Sequence, residues 1–352
     1  MELGSEFNLN FQDLEEKEDH IFNYLKDYNC IYTDSGRSAL RILERIIPKQ
    51  GKILLPSYTC DSVIECYEED QIEYYNLDYE LNIIWQQLDS LLEQEVAAVV
   101  VMHYFGKMQD KEVLAKLKEK CKQKNIMIIE DTTHSIFTQP CSVGDYCICS
   151  LRKWFAIPDG GVLYSLKGLP EIGEMKKPEW SLNKTYGMFL KSLFLEKEYD
   201  CNSWYRELFA EAEEQLEHQK DICEMSKLSK VLLLSYSIQD MISNRRSNYK
   251  KVENGLKDYG ILFWTEMSEC PVVCPITIEN RNELRRYLIE QQIYCAVHWP
   301  VTRQELTGIE VVDYIAKHIM SLPIDQRYGE EHIEYLLKIL SAELERRRGD
   351  KR

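Results

Sequence analysis

Residues 126–165 read IMIIEDTTHSIFTQPCSVGDYCICSLRKWFAIPDGGVLYS, and the order of features in this stretch decides the fold. An apolar run from Ile126 to Ile129 has the continuous character of a strand buried on both faces, and it stops at two acids, Glu130 and Asp131. A second short strand, Tyr146 to Cys149, ends in Ser150, with Lys153 following in a tight turn. A third, Gly161 to Ser165, leaves through Pro158-Asp159-Gly160-Gly161. An acid at the carboxyl end of one strand, with a serine and a lysine at the end of its neighbour, stands where a parallel α/β sheet places its chemistry.

The alternation extends upstream. A short strand ends near Tyr32, and Asp34-Ser35-Gly36 turns into a helix with an apolar stripe of Leu40, Leu43, Ile46 and Ile47. A Ser-Gly start exposes backbone N–H groups that can hold phosphate, although such a start is by itself an ordinary cap. KILLPSYTC (52–60), IEYYNLD (72–78) and VAAVVVMHYFG (96–106) read as further strands, and 111–125 as a charged helix. Strands alternating with helices from 32 to 165 predict a mainly parallel sheet with helices on both faces. Residues 10–29 are expected to form an acidic amphipathic helix with Phe11, Leu14, Ile21, Tyr24 and Leu25 on one side. From Met175 to Glu224 the periodicity weakens, which predicts an irregular insertion with helical pieces. One long helical stretch, 228–260, should end at Gly260 and bridge to a small α+β domain. That domain is expected to hold strands Val272–Ile276 and Tyr294–His298 and helices over 280–291 and 329–347. The division expected is an N-terminal segment 1–30, a large domain 31–240 with its insertion at about 170–225, and a small domain 241–352.

The composition excludes several classes. The 352 residues carry a formal net charge of −16, against the cationic surface that non-specific nucleic-acid binding needs, so no nucleic-acid partner is expected. The basic tail Arg346-Arg347-Arg348 is short and reads as a solvated end. No apolar run is long enough to span a membrane, and the acidic start lacks signal-peptide character, so a cytoplasmic protein is expected. Within that start, GSEF (4–7) reads equally as native sequence or as a cloning scar. Twelve scattered cysteines include no C-x-x-C, and the close pairs Cys147/Cys149 and Cys270/Cys274 lack partners at zinc spacing. Reduced core thiols and no metal are expected.

Several pieces, taken in order, resemble the DegT/DnrJ/StrS family of sugar aminotransferases, which are fold type I pyridoxal-phosphate (PLP) enzymes. SGRSAL (35–40) is similar to the family's phosphate loop, and ILLPSYT (53–59), YYNLDYELNI (74–83), HYFG (103–106) and IIEDTTHS (128–135) to its next segments. Gly144-Asp145, SLRK (150–153), Gly160-Gly161, VHWP (297–300) and SLPI (321–324) continue the series in register. The resemblance implies a fold type I α/β transferase, a large domain with a mainly parallel sheet plus a small C-terminal α+β domain, with PLP as cofactor. It implies that Lys153 forms the aldimine with PLP and, once freed, shuttles a proton. It implies that Asp131 pairs with the pyridine nitrogen and keeps the ring an electron sink, with His134 near the ring's 3′-oxygen. Ser35, Gly36 and Arg37 would bind the phosphate, together with the Ser150 hydroxyl. His103 and His298 are further candidate substrate contacts, with a packing role the alternative for His298. The plainer alternatives are a solvated charge for Lys153, a cap or ion pair for Asp131 and a structural histidine for His134.

The chain also departs from the family pattern. The ring-stacking position falls at Cys60, which cannot stack, and Tyr58 is the candidate replacement. The gap from Ser150 to Lys153 is short, and CEMS (223–226) stands where the family carries Asn-Tyr-Arg-Met. The function expected is transfer of an amino group from glutamate or a similar donor to a keto-sugar or related carbonyl compound, in polysaccharide biosynthesis, by a homodimer. The alternatives are a PLP-binding sensor or assembly partner that has lost transamination, and an α/β nucleotide binder without PLP. The last explains the alternation but not the Asp131, Ser150, Lys153 order.

Overall fold

The computed structural model describes residues 2–9, 14–197, 199–264 and 268–350. Seven strands form the main sheet: β1 (Asn29–Thr33), β2 (Lys52–Pro56), β3 (Ile72–Tyr75), β4 (Val96–Met102), β5 (Met127–Asp131), β6 (Tyr146–Ser150) and β7 (Gly161–Ser165). Their spatial order is β1-β7-β6-β5-β4-β2-β3, and β7 alone runs against its neighbours. β4 and β5 are central and parallel, with Val99, Val101 and Ile129 at 0% exposure. Each such side chain contributes about 1.5–3 kcal/mol on burial, so the apolar runs seen in the sequence hold the middle of the sheet. A separate antiparallel pair, β8 (Cys274–Thr277) and β9 (Ile319–Leu322), belongs to the C-terminal part.

The helices of the first half are α1 (Ile21–Tyr24), α2 (Gly36–Glu44), α3 (Asp61–Ile64), α4 (Trp85–Leu91) and α5 (Lys111–Lys124). Those of the second are α6 (Trp180–Leu195), α7 (Asn202–His218), α8 (Lys227–Leu234), α9 (Ile238–Leu256), α10 (Arg281–Glu290), α11 (Glu310–His318) and α12 (Glu330–Asp350). None of the described helices is long and apolar enough to cross a membrane. All twelve cysteines are free thiols.

Four expectations change. The helix expected over 10–29 is reduced to α1, with Phe11 outside the described residues. The backbone just before it bonds elsewhere: Lys17 N–H donates to the Leu234 carbonyl, and the Asp19 carboxylate accepts from Ser237 Oγ and Gln239 N–H. The stretch 228–260 is two helices, because Ser237 caps α9 by accepting from Asp240 N–H at 3.1 Å. It does end at Gly260, in the left-handed region at φ 66°. The expected strand Tyr294–His298 is only an isolated bridge between Ala296 and Ser321. The insertion is not irregular: α6 and α7 are long helices packed on each other. The α6 face turned inward holds Trp180, Ser181, Lys184, Gly187, Met188, Lys191 and Ser192. Two lysines on a buried face erase the usual helical pattern.

The buried side chains divide between two main cores. Tyr249, Val252 and Leu256 of α9 join Leu3 and the small β8–β9 core, whereas Trp264, Val272, Leu306 and Val312 join the main one. The GSEF stretch is built into the fold. Leu3 exchanges backbone hydrogen bonds with Gln292 and Tyr294. Gly4 sits at φ 78°, where a Cβ would run into the Tyr294 carbonyl oxygen, so only glycine fits.

Candidate active site

β1, β2, β4, β5 and β6 all end at one edge of the sheet, and the residues just past those ends define the site. After β1, Ser35 is extended and caps α2, its Oγ accepting from Ser38 N–H at 3.2 Å and donating to Asp34 Oδ1 at 3.1 Å. The buried Asp34 carboxylate also accepts from Trp180 Nε1–H and Gln219 Nε2–H, both at 2.8 Å, which ties the insertion to this turn. Gly36 lies beside Ser150, and a Cβ on Gly161 would strike the Ser35 carbonyl. Two glycines thus let three chain segments meet where the first turn of α2 carries N–H groups with no helical acceptor.

Ser35, Gly36, Arg37, Cys60, Asp131, His134, Ser150 and Lys153 line a single cavity of about 200 Å³. Two nitrogens in its wall, Arg37 Nε and Arg152 Nη1, are buried without a hydrogen-bond partner. The rest of the Arg152 guanidinium is positioned by two contacts: Nη2 lies 3.3 Å from the Glu213 carboxylate, and the group covers the Trp180 ring at 4.8 Å.

Asp131 ends β5 and is 4% exposed. Its Oδ1 accepts from Thr133 N–H at 2.9 Å, and no cation is paired with it among the described residues. Burial raises its pKa, and the hydrogen bonds from Thr133 only partly oppose this. His134 is buried between the rings of Phe105 and Trp299, nearly parallel to Trp299 at 10° and 5.4 Å. Burial, reinforced by the nearby charges of His298 and Lys153, holds its pKa well below the ordinary value, so the ring is neutral. Its Nδ1 accepts from Phe105 N–H at 3.4 Å, which leaves the proton on Nε2 as a donor. Lys153 lies at the end of a 3-10 turn after β6, with an exposed side chain opening onto the cavity.

Three candidate residues lie elsewhere. Tyr58 does not line the cavity. Its hydroxyl donates to the His298 carbonyl and accepts from Trp299 N–H at 2.6 Å, so it anchors the 298–299 segment instead of facing a cofactor. The indole of Trp299, from the C-terminal part, lines the cavity beside Cys60. His103 is fully buried, with Nε2 2.8 Å from Glu130 Oε1 and Nδ1 accepting from Gln109 N–H at 3.0 Å, and it does not line the cavity. Glu130 in turn accepts from the N–H groups of Ser142, Val143 and Gly144, a clamp on the loop that carries Gly144-Asp145. Glu130, Cys141 and Cys147 bring ligand-type atoms within 4.8 Å of one another, but those hydrogen bonds already occupy the carboxylate. His298 lines an adjoining chamber, with its Nδ1 2.8 Å from Ser321 Oγ. Burial, then the charge of Lys153, lowers its pKa to about 3. Sequence reasoning missed Arg152, Thr133, Trp299 and Glu213. Only Arg152, next to Lys153, carried a positional signal.

The sheet order and the cavity at its carboxyl edge give the chain the fold of the fold type I PLP transferases. Solved structures share this fold. Helicobacter pylori PseC, an aminotransferase involved in the biosynthesis of pseudoaminic acid, is 13% identical over 98% of this chain and 100% of its own, with a TM-score of 0.65. S. venezuelae DesV, solved with a ketimine intermediate, is 15% identical over 92% and 87% of the two chains at 0.63. The Streptococcus pneumoniae putative sugar aminotransferase Spr1654, in its PMP form, is 13% identical over 97% and 92% at 0.64. No curated protein sequence matches the chain. Residues 3–157 of this chain, which contain Ser35, Asp131 and Lys153, match the sequence model of the DegT/DnrJ/EryC1/StrS aminotransferase family. The chain is a PLP-dependent aminotransferase by class.

The residues present suit that cofactor. A phosphate dianion matches the α2 N-terminus and the partnerless N–H groups of Arg37 and Arg152. A cationic ring nitrogen matches the buried, uncompensated Asp131. When bound, PLP supplies an electron sink for the carbon that loses its proton.

Proposed function

We propose that the chain transfers an amino group from glutamate or a similar donor to a keto-sugar or related carbonyl compound, acting as a cytoplasmic homodimer. The observation that carries this reading is the joint opening of Lys153, Asp131 and the α2 N-terminus onto one cavity. In it, Lys153 Nζ would hold the cofactor and, once free, would take the proton that leaves the α-carbon of the amino donor. Asp131 remains a carboxylate opposite the ring nitrogen, because a cation there reverses the burial penalty. His134 donates Nε2–H to an oxygen on the ring, and Ser35, Gly36, Arg37 and Ser150 bind the phosphate. Cys60 forms wall without stacking. The keto-sugar assignment draws on the fold shared with Spr1654, a putative sugar aminotransferase, and PseC, an aminotransferase involved in the biosynthesis of pseudoaminic acid.

The visible spectrum of the purified protein with PLP tests this, before and after borohydride, in wild type and Lys153→Ala. The wild type should show the band of lysine-bound cofactor and become irreversibly labelled, and the variant should do neither. An absent band in wild type refutes the reading. Cys60 at the stacking position favours a second reading, a PLP-binding protein without transaminase activity, and a band that no amino donor bleaches selects it.

A further inference from the structure

The loop between β5 and β6 brings two thiols together, and neither lines the cofactor cavity. Cys147 is the second residue of β6 and fully buried, in register with Glu130 of β5 on one side and Tyr164 of β7 on the other. Cys141 lies in the loop and is half-buried. The two sulfurs and the Glu130 carboxylate lie within 4.8 Å of one another.

The loop is pinned on both sides of Cys141. The Tyr164 hydroxyl donates to the Pro140 carbonyl, and the N–H groups of Ser142, Val143 and Gly144 donate to Glu130 at 2.8–3.0 Å. The loop closes over the strand so tightly that a Cβ on Gly144 would lie 3.1 Å from the Cys147 sulfur. Cys141 itself makes only long contacts, with Sγ 3.6 Å from the Gly144 carbonyl oxygen and 3.9 Å from Glu130 Oε2. Its side chain is therefore free to rotate toward Cys147, and from this separation a small movement reaches an S–S bond of about 2.05 Å.

The two thiols are also unlike. The hydrogen bond between them lowers the Cys141 pKa, against burial and the Glu130 charge, and the same bond with burial raises that of Cys147 well above the ordinary value. Cys141, the more exposed, meets an oxidant first, and Cys147 waits beneath it as the resolving partner. Cys149, two residues further along β6, is fully buried, and burial keeps its thiol protonated.

We propose that Cys141 and Cys147 are a reversible modification site, oxidised to a disulfide by a hydroperoxide. The Cys141 thiolate attacks one peroxide oxygen and the O–O bond breaks. The hydroxide or alkoxide that leaves takes up the proton Cys141 gave, and Cys141 becomes a sulfenic acid. The Cys147 sulfur then attacks the Cys141 sulfur, the S–S bond forms, and hydroxide departs with the Cys147 proton as water. The thiol pair loses two electrons and the O–O bond gains them; with hydrogen peroxide the products are the disulfide and two waters. A dithiol reverses the bridge by exchange.

The test treats reduced full-length protein with stoichiometric hydrogen peroxide, unfolds it in N-ethylmaleimide and digests it with trypsin. Residues 125–152 form one tryptic peptide that holds Cys141, Cys147 and Cys149. It should be lighter by two hydrogens and carry a single label, on Cys149. Cleavage before Asp145 should then give two halves that only a reductant separates, and dithiothreitol before labelling should restore a label on every cysteine. Cys147→Ser should instead leave Cys141 as a sulfenic acid that dimedone captures, and Cys141→Ser should give neither product. The wild-type digest decides the matter whether or not these variants fold. A fully labelled peptide after peroxide overturns the proposal. So does a bridge from Cys141 to Cys149 or to a second chain, or Cys141 carried to sulfinic acid with no bridge.

Discussion

Replacing Asp131 with Asn should move two measurements in opposite directions. Without cofactor, the Asp131 carboxylate is buried with no cation opposite it, held only by hydrogen bonds from Thr133. Burial outweighs those bonds and raises its pKa, so its contribution to stability is greatest below the ordinary aspartate range and is lost as pH rises through the raised value. Asn has the same shape, keeps an oxygen to accept from Thr133 N–H, and removes the charge. The cofactor-free variant should therefore unfold at an equal or higher denaturant concentration than wild type at pH 7, and the advantage should shrink on acidification. PLP binding should weaken, since a charge-assisted hydrogen bond to the ring nitrogen is worth about 1.5–3 kcal/mol, or about 10- to 150-fold in Kd. Urea denaturation of the cofactor-free proteins and absorbance titration with PLP check the two halves. A destabilised variant that binds PLP as wild type does would refute the reasoning, because Asp131 would then be a structural acid.

Two further expectations concern the frame around the site. Glu130→Ala should cost about 3–5 kcal/mol, because it strands the buried His103 ring and three backbone N–H groups. Burial would raise the Glu130 pKa, but the His103 hydrogen bond and charge, with the loop N–H groups, hold it at about 2. Its stabilisation is therefore fully present above the ordinary 4.5 and lost as pH falls toward 2, and a pH series of urea melts should lose this component in the variant. Gly161→Ala should weaken PLP binding more than it affects the far β8–β9 unit, since its Cβ would push on the Ser35 carbonyl; hydrogen exchange of the two regions separates these effects. His298, neutral down to about pH 3, should add no inflection to the rate profile between pH 5 and 9.

The sheet was legible because its central strands are buried on both faces. Val96–Met102 and Met127–Asp131 must be apolar throughout, and the polar residues that interrupt them, His103 and Asp131, mark the strand ends. The motifs at those ends placed eight candidates around one cavity, since residues that follow parallel strands emerge at the same edge. Helix α6 was not legible, because it buries Lys184 and Lys191 against acids that sit at Glu6, Glu213 and Glu2, far away in the chain.

The sequence by itself determined the α/β alternation and the positions of Ser35, Asp131, Ser150 and Lys153, all set by local pattern at strand ends. Tertiary structure alone decided what fills the space around them. Tyr58 points toward the C-terminal segment and Trp299 returns from that segment to the cavity, 168 residues beyond Asp131 in number order (299 − 131). The charged wall of the chamber that His298 lines likewise joins residues 4–7, 152, 184 and 245, whose ion pairs and empty donors depend on packing that no local window of sequence contains.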